Sequence, residues 1–151
     1  MISIRPATVD DIAVSQDLLS QLGYQLDASE VRRRYDVVAR SGDHAVMVAV
    51  RNEQVIALCH TYARPALDKP PEVVVQALVV DQASRGLGVG KLMMAAAEAW
   101  AEDRGFSSVA LGSHVSRANA HAFYESLGYR NEATSHQFRK TLKANVVTPR
   151  D

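Results

Sequence analysis

The chain has 151 residues, 47% hydrophobic and 23% charged, proportions of an ordinary globular domain that exclude a disordered or fibrous chain. Lys plus Arg and Asp plus Glu both number 17, so the formal charge is zero and no general attraction for nucleic acid or an anionic membrane is expected. A single cysteine, Cys59, leaves no internal disulfide. Residues 1–6 show no apolar signal segment and no run nears the ~18 apolar residues of a membrane span, which points to a cytoplasmic protein.

Residues 2–5 alternate apolar and polar side chains ahead of Pro6 and read as a short strand. Thr8, Val9, Asp10 and Asp11 supply a capping-box-like start for a first helix, with Ile12, Leu18, Leu19 and Leu22 on roughly one face and Gly23 as terminator. Residues 27–40 place Val31, Tyr35 and Val38 at spacings of four and three, a second amphipathic helix whose Arg32, Arg33 and Arg34 read as a solvated face. Residues 44–50 and 55–63 are rich in β-branched side chains and flank residues 51–54, the pattern of an antiparallel hairpin. Beyond Pro65, Pro70 and Pro71, residues 72–80 are almost continuously apolar, as in a central strand covered on both faces. Residues 90–104 form a third helix with Leu92, Ala96, Ala99 and Trp100 on helical spacing, closed by Gly105. A strand at 107–113, a helix at 117–127 capped by Gly128, and two closing strands within 129–142 complete the pattern, with 143–151 as a frayed tail.

The glycines at 86, 88 and 90 lie between the apolar strand and the third helix. There successive backbone N–H groups can point at one anion, and the helix N-terminus adds its positive end. Three phosphate-binding patterns compete for such a turn. A Walker A loop requires glycine where Arg85 stands and a hydroxyl where Leu92 stands. The dinucleotide pattern Gly-x-Gly-x-x-Gly fails from Gly86, where Lys91 takes the last position, and from Gly88, where Met93 does. A nucleotide switch and a nicotinamide cofactor are thereby disfavoured.

The third pattern fits. The run from Val80 through Arg85, Gly88 and Gly90 resembles the acetyl-CoA signature Arg/Gln-x-x-Gly-x-Gly/Ala of the GNAT superfamily of N-acetyltransferases. Asn119, Ala122, Phe123, Tyr124, Gly128 and Tyr129 resemble the superfamily's second conserved region with compressed spacing. The resemblance follows element order over residues 2–142 and is specific over 78–129. It implies an α/β (α+β) fold in one domain, residues 1–142. Its mixed, mostly antiparallel sheet of about seven strands would splay between the fourth and fifth and be flanked by about four helices.

The resemblance further implies an acetyl-CoA-dependent N-acyltransferase of the EC 2.3.1 class that acts by direct attack in a ternary complex. Leu78, Val79 and Val80 would hydrogen-bond the pantetheine as an added strand. The backbone of Arg85, Gly86, Leu87, Gly88, Val89, Gly90 and Lys91 would hold the diphosphate, with Arg85 doing structural work and Lys91 adding a point charge. Asn119 would contact the pantetheine arm, and Tyr124 would sit beside the sulfur and protonate the departing thiolate. One usual position of the catalytic glutamate falls on Val74, so the base passes to Glu72, two residues earlier on the same face, or to His114 at the mouth of the splay. His60 and Tyr62 are placed to line the acceptor side. His114 and His121 lack a third ligand, so no metal is expected. The acceptor is a small-molecule or peptide amine, and a homodimer is among the states common in the family. The missing glutamate leaves one alternative, a non-catalytic acyl-CoA-binding or sensing module.

Overall fold

The computed structural model describes residues 1–113 and 116–143, and the chain divides into two compact units, Met1–Gly112 and Ser113–Asp151. In the first, β1 (Ile2–Pro6), β2 (His44–Arg51), β3 (Gln54–Arg64), β4 (Glu72–Val80) and β5 (Val109–Leu111) form one sheet in sequence order. The first four strands are antiparallel neighbours and β5 joins β4 in parallel. Helices α1 (Ile12–Leu22), α2 (Ala28–Ala39) and α3 (Val89–Asp103) are the connections.

Local chemistry explains the boundaries. Thr8 and Asp11 form a reciprocal capping box, although the first turn it starts is a 3-10 turn, Val9–Asp11, that runs into α1. Asp11 also takes two hydrogen bonds from Arg5, at 2.8 and 3.0 Å, and this bidentate pair holds its carboxyl below the usual carboxylate range. Asp27 caps α2 by accepting from the Glu30 N–H at 2.8 Å. Arg32 pairs with Asp36, and Arg33 and Arg34 pair with Glu30, so the arginine run is an exposed helix face satisfied along its own helix. The β2–β3 hairpin turns through Asn52 and Glu53, both with positive φ, the geometry that matches strand twist.

The two faces of the sheet differ in what covers them. On one, Leu18 of α1 packs with Val48, Leu58 and Val79. The other lies under α3, whose buried stripe is Val89, Met93, Met94, Ala97 and Ala101. This corrects the face read from Leu92, Ala96, Ala99 and Trp100: Leu92 is 43% exposed and Met93 is fully buried. The helix is apolar on several sides, so its sequence allows more than one inward face, and packing on β3 and β4 selects the methionines.

In the second unit, α4 (Ala118–Ser126) forms as expected, but no strand occurs among the described residues of 129–142. The described sheet therefore has five strands and not about seven. Residues 130–143 are polar and exposed, and their large apolar members, Phe138 and Leu142, are exposed too, so the segment has no face to bury. Phe123, Leu127 and Tyr129 are half-buried.

Candidate active site

Past Val80 the chain makes a 3-10 turn, Gln82–Ser84, before residues 85–88 run exposed into α3. Gly86 and Gly88 have φ of 84° and 80°, a conformation that costs other L-residues roughly 1–2 kcal/mol each. Gly88 is the N-cap of α3 and supplies no side chain, so the first-turn N–H groups of this 15-residue helix have no side-chain acceptor. A Cβ added at Gly86 or Gly88 meets no described atom within 4 Å. Donors, the positive helix end and open space thus coincide, which fits a diphosphate.

Two contacts fix the turn. The Arg85 Nε donates to the Val80 carbonyl at 3.3 Å, the structural duty expected of it. Gln21 of α1, which the sequence did not single out, donates to Asp81 and accepts from the Gln82 N–H, both at 2.8 Å. Lys91 is exposed in the first helical turn.

The strand leading into the turn is open along one edge. β5 pairs only with Val73, Val74 and Val75, and among the described residues no strand pairs with residues 76–80 on that side. Leu78, Val79 and Val80 lie on this stretch. On the other side the ladder slips: His60 faces Ala77 while Thr61 faces Val75, so Gln76 is an extra, bulged residue. Its signal in the sequence is the one polar side chain inside the apolar run.

The sheet face shared with α1 changes character toward the end of β3. Leu58 is buried there, whereas His60, Tyr62 and Arg64, next along the same face, are half-buried and alternate with the buried Thr61 and Ala63. His44 of β2 stands beside them. Its Nδ1 lies 2.9 Å from the His60 Nε2, and its ring stacks on Tyr62 at 5.2 Å and 19°. Burial first, then His44, depresses the His60 pKa to about 4. Glu72 shares this face and accepts a 2.6 Å hydrogen bond from Arg64, its cross-strand partner. Val74, opposite Tyr62, is buried. His44 was not singled out from the sequence, because nothing local pairs it with a residue sixteen positions away.

His114 lies outside the described residues. In the second unit Asn119 is exposed in the first turn of α4, and Tyr124 meets Phe123 and Tyr129 edge-on, at 5.1 and 6.2 Å. Among the described residues no group of three or more His, Cys, Asp or Glu is arranged to hold a metal, and no helix is long and apolar enough to cross a membrane.

A central sheet with an open strand edge and a glycine turn at the mouth of a helix is the arrangement of an acyltransferase, and residues 11–129 match the acetyltransferase (GNAT) family. The chain belongs to that family, as a GNAT N-acetyltransferase. It is 28% identical over 134 residues to the N-acetyltransferase YhdJ of Bacillus subtilis, covering 88% of this chain and 93% of that one. It is also 28% identical to an aminoglycoside N(6′)-acetyltransferase type 1 of Stenotrophomonas maltophilia, covering 95% and 96% of the two chains. Among solved structures, an aminoglycoside N-acetyltransferase in complex with CoA superposes with a TM-score of 0.85 at 18% identity, over 94% of this chain and 96% of that one.

Proposed function

We propose that this protein transfers the acetyl group of acetyl-CoA to a primary amine of a small molecule of the aminoglycoside kind, by direct attack in a ternary complex. The observation that carries the reading is continuity: the edge of β4 at residues 76–80, which no strand pairs among the described residues, runs directly into the glycine turn and the uncapped N-terminus of α3. A pantetheine arm and its diphosphate present those two acceptor sets in that order. The full-length likeness to an aminoglycoside N(6′)-acetyltransferase supports the acceptor class.

When bound, the thioester supplies the acyl group. Backbone N–H groups of residues 76–80 stabilise the oxyanion, the turn with Lys91 holds the diphosphate, and Asn119 and Tyr124 keep the pantetheine and thiolate roles that the family likeness gives them. The amine must lose a proton, and Glu72 and His114 are the acceptors named by the sequence. An enzyme-bound thioester is disfavoured by Cys59, the chain's one thiol, which is buried beneath α3 with its pKa pushed up to about 12.

The test pairs calorimetric CoA binding with thiol release from acetyl-CoA over a panel of aminoglycosides, polyamines, amino acids and peptides. CoA binding with thiol release for aminoglycosides bearing a free 6′-amine is the expected result. Binding without release for any amine would turn the assignment to an acyl-CoA-binding module, the alternative that Val74 raises. Failure to bind CoA would overturn both.

A further inference from the structure

We propose that His60 accepts the proton of the incoming amine and passes charge through His44 to solvent at the far edge of β2. This rests on the reading of the chain as an amine acetyltransferase and names the proton path that reading leaves open.

Position is the first argument. His60 faces Ala77, the residue after the bulge, on the sheet face opposite α3. Its backbone therefore lies about one strand spacing, ~4.8 Å, from that of β4 at the point where the far edge of β4 opens. It is half-buried, whereas Leu58, two residues earlier on that face, is covered.

The partner is the second. Contact at 2.9 Å between the His60 Nε2 and the His44 Nδ1 requires one nitrogen to donate and the other to accept. With the proton on the His60 Nε2, the His60 Nδ1 keeps a lone pair for the amine. As Nδ1 takes the amine proton, Nε2–H moves to the His44 Nδ1, and the positive charge resides on His44. The stacked Tyr62 ring offers that imidazolium a π face. His44 then releases its own Nε2 proton, so no net charge accumulates, and exchange of both neutral rings with solvent back to their Nε2–H tautomers closes the cycle before the next turnover. Its pKa of about 4 leaves His60 unprotonated at neutral pH but a weak base by itself, so the onward transfer to His44 is what draws the amine proton off.

The exit is the third. β1 ends opposite Met47, so His44, Ala45 and Val46 project beyond it and line a cleft of about 400 Å³ with Arg5, Tyr35 and Trp100. The charged and titratable groups around the pair are already engaged. Arg64 binds Glu72, Arg5 binds Asp11, Arg104 binds Asp43, and the Tyr35 hydroxyl donates to the Ala7 carbonyl. The Glu72 Oε1, the rival base, is thus committed to a guanidinium, while the His60 Nδ1 has no such tie among the described residues.

Three variants and one spectrum test the relay in the full chain, at saturating acetyl-CoA with an aminoglycoside bearing a 6′-amine. His44→Asn places an amide oxygen where Nδ1 stood, keeping the hydrogen bond from His60 but unable to carry a proton. His44→Asn and His60→Gln should each lower kcat/KM about 10²-fold near neutral pH. The loss should shrink as rising pH deprotonates the amine, with CoA affinity unchanged. Imidazole ¹⁵N NMR of the wild type should place the His60 proton on Nε2. A proton on Nδ1, a loss independent of pH, or either variant within about twofold of wild type would overturn the relay. So would Glu72→Gln reproducing the neutral-pH loss when His60→Gln does not. Wild type that binds CoA but acetylates no amine overturns the acetyltransferase reading and the relay with it, whereas intact turnover with unaffected histidine variants overturns the relay alone.

Discussion

The proposed diphosphate turn and the proposed acceptor face of the first unit are built from different parts of the polypeptide. From Arg85 into α3 the working groups are backbone N–H groups, and the side chains matter chiefly by being absent: Gly86 and Gly88 free the conformation and Gly88 leaves the helix uncapped. Across β2, β3 and β4 the proposed working groups are side chains from three strands, His44, His60, Tyr62, Arg64 and Glu72, aligned by the ladder. A contiguous backbone site recognises a group common to every acyl-CoA. An assembled side-chain site can change its acceptor without disturbing the donor.

The largest expected effect separates the two. Gly88→Val and Gly88→Asn should each raise the CoA dissociation constant about 10²-fold by calorimetry while circular dichroism stays native. Asn tolerates positive φ and Val does not. Parallel losses therefore assign the effect to a side chain filling the phosphate space, and loss in Val alone assigns it to backbone strain. Full-strength CoA binding by both would break the assignment of the turn.

A smaller effect belongs to the acceptor face. The folded pKa of His60 is about 4 and the unfolded value is ~6.5. Between those values the unfolded chain binds more protons, so His60 contributes stability that is present above about pH 6.5 and lost as pH falls toward about pH 4. Thermal denaturation across this window should show a steeper decline for wild type than for His60→Gln. Equal slopes would mean that the ring is solvated and titrates in the folded chain as it does in the unfolded one. The smallest effect is Lys91→Ala. An exposed point charge should cost CoA affinity only about threefold, and the difference should vanish in high salt. A loss rivalling that of Gly88→Val would shift the diphosphate contact from backbone to side chain.

The turn was legible because its requirement is local. Positive φ and an uncapped helix start call for glycine at set spacings, and the neighbouring apolar run marks the strand that feeds it. The capping residue Thr8 and the hairpin at residues 51–54 were legible for the same reason. Where several inward faces were open to α3, the sequence left the choice unsettled, and the strands expected within 129–142 had alternation too weak to bury a face.

By itself, the sequence determined what adjacent residues decide among themselves: element order as far as α4, the Thr8 cap, the central strand at residues 72–80 and the glycine turn behind it. Only the tertiary structure decided which side chains meet. The bulge at Gln76, the contact of His44 with His60, the pairing of Arg64 with Glu72 and the grip of Gln21 on the turn depend on strand register and helix docking. Those are set by hydrogen-bond ladders and packing between distant segments, where slipping one strand by a single residue would send that strand's side chains to the opposite face.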